Sequence, residues 1–467
     1  MKKLPYALAI IFLLLGLYVV FIYFSWDIFR GMVPNNSAEH VKKIIEGLNG
    51  YENKMPAPDV STASPKLMVI VIDALSYNVL ELGFKYELLP NLEKIFASSC
   101  AGMSTPSMPM FTPRLLTSMA TGVPPEMHGV LDFERAGEAP ITGGERKYHA
   151  FWHIASERGK KVAIVGWPFT WPAEKVNGYF LSAPGLMSLN YEIYKCCYGS
   201  PANELIYQPA NGKIYDAIFD ALTKAQAFEL KDIKFPSRLG FIKFLPFKLN
   251  PFFSLRSKFR RDTLETIARR DKFFLEMAKY ILANDKNIDI FAIYLELADD
   301  ASHLYFHDPK TVLGVYAWLD AGIGELLKLV KGEPIMVVLG DHGFKLAARD
   351  FNDAYNRMIK NTDWPEIGSH DVIGAFAIRT PRCSTNREFI SVAPEEIAPF
   401  VLSVFGIPPS NEMENLGLAE WYLMHEVSLG GYSSARVPID IPILSIMRNP
   451  DVYESYKEQL RALGYIN

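Results

Sequence analysis

Five short runs of mostly apolar residues punctuate the chain after residue 66, at 67–72, 162–165, 288–294, 335–339 and 375–378. Each is apolar at nearly every position instead of every second one, which predicts strands buried on both faces. Between the runs the apolar residues recur at helical spacing. Strands that alternate with helices in this way build a mostly parallel sheet covered on both sides. Such a sheet binds its ligand at the carboxyl ends of the strands. Asp73 directly follows the first run, Trp167 and Pro168 the second, Glu296 and Asp299 the third, and Asp341 with His342 the fourth. Distant segments are therefore expected to converge on one edge.

The pattern also divides the chain. Residues 4–24 carry no charge, follow Lys2 and Lys3, and are about as long as the roughly 20 residues that cross a bilayer. Aromatic residues continue to Trp26 and no small-x-small cleavage site ends the run, so residues 1–29 are expected to be an uncleaved transmembrane anchor with the remainder outside the cytoplasm. Residues 30–65, with Pro34, Pro56 and Pro58, read as a linker. The α/β domain is expected over 66–410, interrupted at 180–285 by a cap insertion where the alternation weakens and closed by a helix at 397–406. Residues 411–467 read as a peripheral segment ending in a short helix at 453–463.

Composition changes this picture little. With 48 Lys and Arg against 52 Asp and Glu, a net charge of −4, nothing marks a nucleic-acid polymer as partner. The four cysteines, Cys100, Cys196, Cys197 and Cys383, lack the paired spacing of a structural zinc site. They read mostly as small buried hydrophobes, with one bridge allowed in an extracytoplasmic domain.

The candidate chemistry lies at the strand ends. Asp299 and His303 are one helical turn apart, so a helix over 299–305 would aim both at one ion. Asp341 and His342 sit between Gly340 and Gly343, where a tight turn would let adjacent side chains enter one site. His370 precedes another apolar run. Singly, each has a plain alternative: a solvated helix face, a polar turn, an exposed loop histidine, a cap at Asp73. Delivered together to one sheet edge, an Asp and His set is what borderline divalent metals such as zinc require. Two such ions suit phosphoryl or sulfuryl transfer.

Thr112 is the candidate nucleophile. It reads as a helix N-cap with Pro113 at the first helical position and an apolar helix running to Gly122. A hydroxyl there would face backbone N–H groups able to bind an anion, and a neighbouring metal would activate it. Arg114 would add a charged contact to a nonbridging oxygen.

These residues resemble the type I phosphodiesterase and nucleotide pyrophosphatase branch of the alkaline phosphatase superfamily. The resemblance runs from about residue 66 to 409. It is carried by Val69-Ile70-Val71-Ile72-Asp73, Thr112, Thr121-Gly122-Val123-Pro124-Pro125-Glu126-Met127-His128-Gly129, Trp167-Pro168, Asp299 to His303, Gly340-Asp341-His342-Gly343 and Gly368-Ser369-His370. It implies an alkaline phosphatase-like three-layer sandwich. It further implies one metal at Asp73, Thr112, Asp341 and His342, a second at Asp299, His303 and His370, and a phosphothreonine intermediate at Thr112. Zinc is the metal expected, with manganese as the alternative, and His128 takes a structural position. The side chains of Pro113 and Leu115 cannot donate to phosphate, so the resemblance does not carry nucleotide specificity with it. A sulfatase-like hydrolase fits less well, because the nucleophile type and the arginine offset disagree.

Residues 231–261 interleave seven phenylalanines, from Phe235 to Phe259, with eight basic residues after Lys231 and Asp232, among them Arg238, Lys243, Arg256 and Arg261. This is either a cap with its own small core and a basic rim, or an interfacial segment resting on anionic headgroups and admitting a lipid-linked phosphate. The expected function is metal-dependent hydrolysis of a phosphate ester. Two other readings are a phosphotransferase acting on a lipid- or glycan-linked headgroup, and a noncatalytic protein that keeps the fold.

Overall fold

A computed structural model describes residues 37–135, 139–183, 206–207, 213–233, 253–306, 309–346, 368–385 and 388–438. The expected anchor at 4–24, most of the basic phenylalanine-rich segment, Cys196, Cys197 and the helix expected at 453–463 lie outside these residues. Among the described residues, no helix is long and apolar enough to cross a membrane.

The strands that build and flank the site are β1 (Leu67–Ile72), β2 (Cys100–Ser104), β3 (Val162–Pro168), β4 (Gly178–Ala183), β5 (Ile206–Tyr207), β6 (Ile290–Leu295), β7 (Ile335–Leu339), β8 (Gly343–Leu346), β9 (Gly368–Asp371), β10 (Gly374–Arg379) and β11 (Phe389–Val392). Nine of them form one sheet in the order β11-β2-β10-β7-β1-β6-β3-β4-β5. The run from β7 through β1, β6 and β3 to β4 is parallel. The fold is thus α/β with a mostly parallel central sheet. β10 is antiparallel to both of its neighbours, so the run at 375–378 supplies a reversed strand.

Why the runs are continuously apolar is visible in β1. Met68, Ile70 and Ile72 enter one core, while Leu67, Val69 and Val71 enter a second on the opposite face. Successive side chains of a strand point to opposite faces, so only a sheet covered on both sides buries all six. Leu116, Met119, Phe151, Trp152, Phe400 and Val401 cover one face. Phe273, Phe274, Met277 and Leu319 cover the other.

The helices that matter below are α1 (Thr112–Thr121), α2 (Phe253–Asn284) and α3 (Leu297–Tyr305). Part of the expected cap at 180–285 belongs to the main body. Residues 180–183 lie in β4, and the carboxyl half of α2 presents Phe273, Phe274, Met277, Ala278 and Ile281 to the sheet. The long polar stretches of α2 obscure this in the sequence, because a helix packed by one stripe is mostly polar by count.

Cys100 of β2 and Cys383 form a disulfide across a sequence separation of 283 residues. Replacing both by serine is expected to cost about 2–4 kcal/mol, read as a lower urea midpoint. An unchanged midpoint would show that the bridge adds nothing to stability.

Candidate active site

The Asp and His residues meet where β1, β6 and β7 end. Asp73 is the residue after β1, and its N–H donates to the Leu295 carbonyl at 2.9 Å. The following Ala74 has φ 55, a left-handed conformation unusual for a residue other than glycine. Two contacts hold it there: Tyr316 Oη donates to the Ala74 carbonyl at 2.7 Å, and the Ala74 N–H donates to Asp341 Oδ1 at 3.3 Å. Strain of this kind concentrates where a side chain must be aimed.

Asp341 and His342 follow β7 between the two glycines. Neither glycine has a positive φ, so the expected reason for them is replaced by another. A Cβ on Gly340 would lie 2.8 Å from the Leu75 nitrogen, and one on Gly343 only 2.0 Å from the Ile373 carbonyl oxygen. Close passage of neighbouring backbone, instead of turn geometry, excludes a side chain. His370 lies on β9, which pairs with β8 so that His370 faces Phe344. Asp299 and His303 occupy the first two turns of α3.

These residues gather into two overlapping triads. Ligand atoms of Asp299, His303 and His370 lie within 4.8 Å of one another, as do those of Asp73, Asp299 and His342. His342 Nε2 is 3.2 Å from Asp73 Oδ1, 3.6 Å from Asp341 Oδ2 and 4.0 Å from Asp299 Oδ1. His303 Nε2 is 3.4 Å from Asp299 Oδ2 and 2.9 Å from His370 Nε2. The outward nitrogens are engaged: His370 Nδ1 with the Met110 carbonyl at 2.9 Å and His342 Nδ1 with the Gly343 carbonyl at 3.0 Å. A carbonyl at Nδ1 makes that nitrogen the donor and leaves the Nε2 lone pair for the site, the arrangement metal-binding histidines use.

The electrostatics agree. Burial, then the neighbouring Asp341, drives the Asp73 carboxyl well above its ordinary range, and burial pushes Asp341 up to about 7. Burial and then His342 lower His303 to about 3, while burial, His342 and His303 hold His370 well below its ordinary value. Carboxyls crowded together out of water resist ionisation while the histidines stay neutral, and a divalent cation among them would supply the positive charge that this donor set lacks.

Thr112 is fully buried, and its hydroxyl has no hydrogen-bond partner among the described residues. The expected cap is shifted by one residue, since Phe111 takes the extended cap conformation and Thr112 opens the helix. Two of the N–H groups expected to face an anion are already engaged. Arg114 N–H donates to the Phe111 carbonyl at 2.9 Å, Leu115 N–H to the same oxygen at 3.2 Å, and Pro113 has none. Leu115 is itself fully buried. Arg114 Nη2 lies 3.2 Å from Glu126 Oε1, forming an ion pair.

His128 is buried between Ser118 Oγ, 3.1 Å from Nε2, and the Val130 N–H, which donates to Nδ1. Burial foremost depresses it from 6.5 to about 3. The unfolded chain then binds a proton that the folded chain refuses. Stability is complete above pH 6.5 and is lost as pH falls toward 3, at up to about 1.4 kcal/mol per pH unit. His128→Asn is expected to flatten that slope in urea titrations at pH 7.5 and 5; an identical slope in both proteins would reject the assignment.

Sequence reasoning missed several supporting residues. Tyr294 Oη donates to Asp73 Oδ2 through a short hydrogen bond, from a position 221 residues away. Arg270 and Asp271 of α2 are buried behind α3. None has a telling spacing, because each acts across the fold.

Residues 67–403 match the type I phosphodiesterase / nucleotide pyrophosphatase family, and the chain belongs to it. This is a family of phosphoester hydrolases. No curated protein matches the chain. Among solved structures it is similar to phosphonoacetate hydrolase from Sinorhizobium meliloti 1021, at 15% identity over 61% of this chain and 58% of that one, with a TM-score of 0.38. It is also similar to murine ectonucleotide pyrophosphatase / phosphodiesterase 5, at 12% identity over 78% of this chain and 97% of that one, with a TM-score of 0.42.

Proposed function

We propose that the protein hydrolyses a phosphate ester, with Thr112 as nucleophile and two divalent cations held by Asp73, Asp299, His303, Asp341, His342 and His370. The observation that carries this reading is the pair of triads sharing Asp299. Zinc is the preferred ion, since the donors are imidazole nitrogens and carboxylate oxygens, and manganese is the alternative. When bound, such ions would polarise the phosphoryl oxygens and favour the ionised threonine hydroxyl.

The chain's own residues do the rest. Thr112 Oγ, buried and unencumbered, attacks phosphorus while the bond to the leaving alkoxide breaks and the alcohol departs with a proton. Water then attacks phosphorus, the Thr112 Oγ–P bond breaks, and phosphate or its monoester leaves. Exclusion of bulk water makes each charge contact stronger. The Arg114 and Leu115 amides of α1 are engaged by the Phe111 carbonyl, so stabilisation of the developing oxyanion rests mainly on the cations and their ligands.

The location follows the same reading. The uncharged run at 4–24 and the buried Cys100–Cys383 bridge both suit a membrane-tethered domain in an oxidising compartment. With the basic, phenylalanine-rich 231–261 segment they favour a phosphate ester met at a membrane surface, lipid-linked substrates included.

The test is an assay on bis-p-nitrophenyl phosphate and p-nitrophenyl phosphate with zinc or manganese, before and after chelation. Turnover is expected to vanish with chelator and return with metal. Full activity in chelator would overturn the metal reading, and preferential transfer to an added alcohol would replace hydrolysis by phosphotransfer.

A further inference from the structure

Two consecutive charged residues are buried in the middle of α2. Arg270 is 2% exposed and Asp271 is 0% exposed, in a helix whose neighbouring buried positions are Ile267, Phe273, Phe274 and Met277. A helix that only covered the sheet would be apolar here, because taking an arginine and a carboxylate out of water is costly and pairing often fails to repay it. Their partners show what they hold. Asp271 Oδ2 accepts from the Glu296 N–H at 3.0 Å and the Leu297 N–H at 2.9 Å. Those two amides open α3, where a buried helix start leaves donors without intrahelical acceptors. Arg270 Nη2 pairs with the Glu296 carboxylate and lies 3.5 Å from Asp271 Oδ1. Arg270 thereby balances a buried carboxylate three residues before Asp299.

We propose that Asp271 is a positioning residue for the metal site: from α2 it caps α3 and fixes the orientation in which Asp299 and His303 reach the ion they share with His370. A cap supplied by another helix pins α3 at its first turn, and both ligands lie within two turns of that point. Arg270 offsets the buried charges of Asp271 and Glu296. The inference rests on the reading of Asp299, His303 and His370 as ligands.

The full chain is titrated with zinc against a chromophoric chelator, as wild type, Asp271→Asn and Asp271→Ala. His303→Ala marks which binding step belongs to the Asp299, His303 and His370 triad. Asp271→Ala is expected to weaken that step about 10-fold or more, with a smaller loss at the other step, and Asp271→Asn, which keeps a neutral acceptor, to lose about threefold. Hydrogen exchange of the metal-free chain is the second readout. Amides 296–298 are expected to lose protection in the order Ala, Asn, wild type, while the sheet stays protected. That order can be read from Asn and wild type alone where Ala does not fold. Unchanged affinity and exchange in Asn and Ala, or losses spread equally over both steps and the whole chain, would overturn the proposal. A wild-type chain that takes up no zinc would refute the metal reading, and the exchange contrast would still decide whether Asp271 holds α3.

Discussion

Thr112→Val is expected to lower turnover of bis-p-nitrophenyl phosphate by roughly 10³-fold or more, the scale on which loss of a nucleophile acts, while leaving the protein as stable as before or slightly more so. The two halves of this result come from one observation, the buried Thr112 hydroxyl without a hydrogen-bond partner. A hydroxyl that capped the helix would cost about 1 kcal/mol to remove. An unsatisfied buried hydroxyl instead carries a desolvation penalty that valine, of nearly the same shape, relieves. Thr112→Ser keeps the oxygen and should retain measurable turnover. The readouts are kcat, the urea midpoint and trapping of phosphate on the protein by mass spectrometry. Wild-type turnover in Thr112→Val would remove Thr112 from the mechanism. A stability loss of cap size would return it to a structural role.

The second large effect is expected at Asp299. Its carboxylate belongs to both triads, with Oδ2 3.4 Å from His303 and Oδ1 3.6 Å from His370 and 4.0 Å from His342. A residue shared in this way would couple two bound ions. Asp299→Asn should therefore drop the bound metal from about two ions per chain to below one, whereas His303→Ala should leave about one. Elemental analysis after gel filtration measures both. Equal stoichiometries in the two variants would show that Asp299 does not join the sites. Without metal, Asp299→Asn is also expected to be the more stable protein, because it removes one of the crowded buried charges that raise Asp341.

Much of this was legible in the chain itself. β1 was readable because a strand buried on both faces must be apolar at every position, and Asp73 stood out as the break in that rule. Asp341 and His342 were marked in the same way at the end of β7. Asp299 and His303 were readable from helical spacing. The helix at Thr112 was readable too, yet its cap was placed one residue late, since Pro113 suits either of the first two helical positions and only the backbone separates them. The glycines beside Asp341 and His342 suit a tight turn on the sequence alone, whereas the close approach that excludes a side chain at each is invisible there, because a sequence carries no record of which backbone passes within 3 Å.

The sequence by itself determined five of the strands, the residue types that arrive at the ends of four of them, and hence the family. Those features depend on local periodicity and on the solvent each residue meets, and both are written along the chain. Tertiary structure alone decided that Asp299 stands in both triads, that Arg114 turns to Glu126, that the Arg114 and Leu115 amides are spent on Phe111, that Tyr294 donates to Asp73 and that Asp271 accepts from the first amides of α3. These are contacts between residues that no spacing relates, set by how helices and strands pack once the apolar runs have assembled.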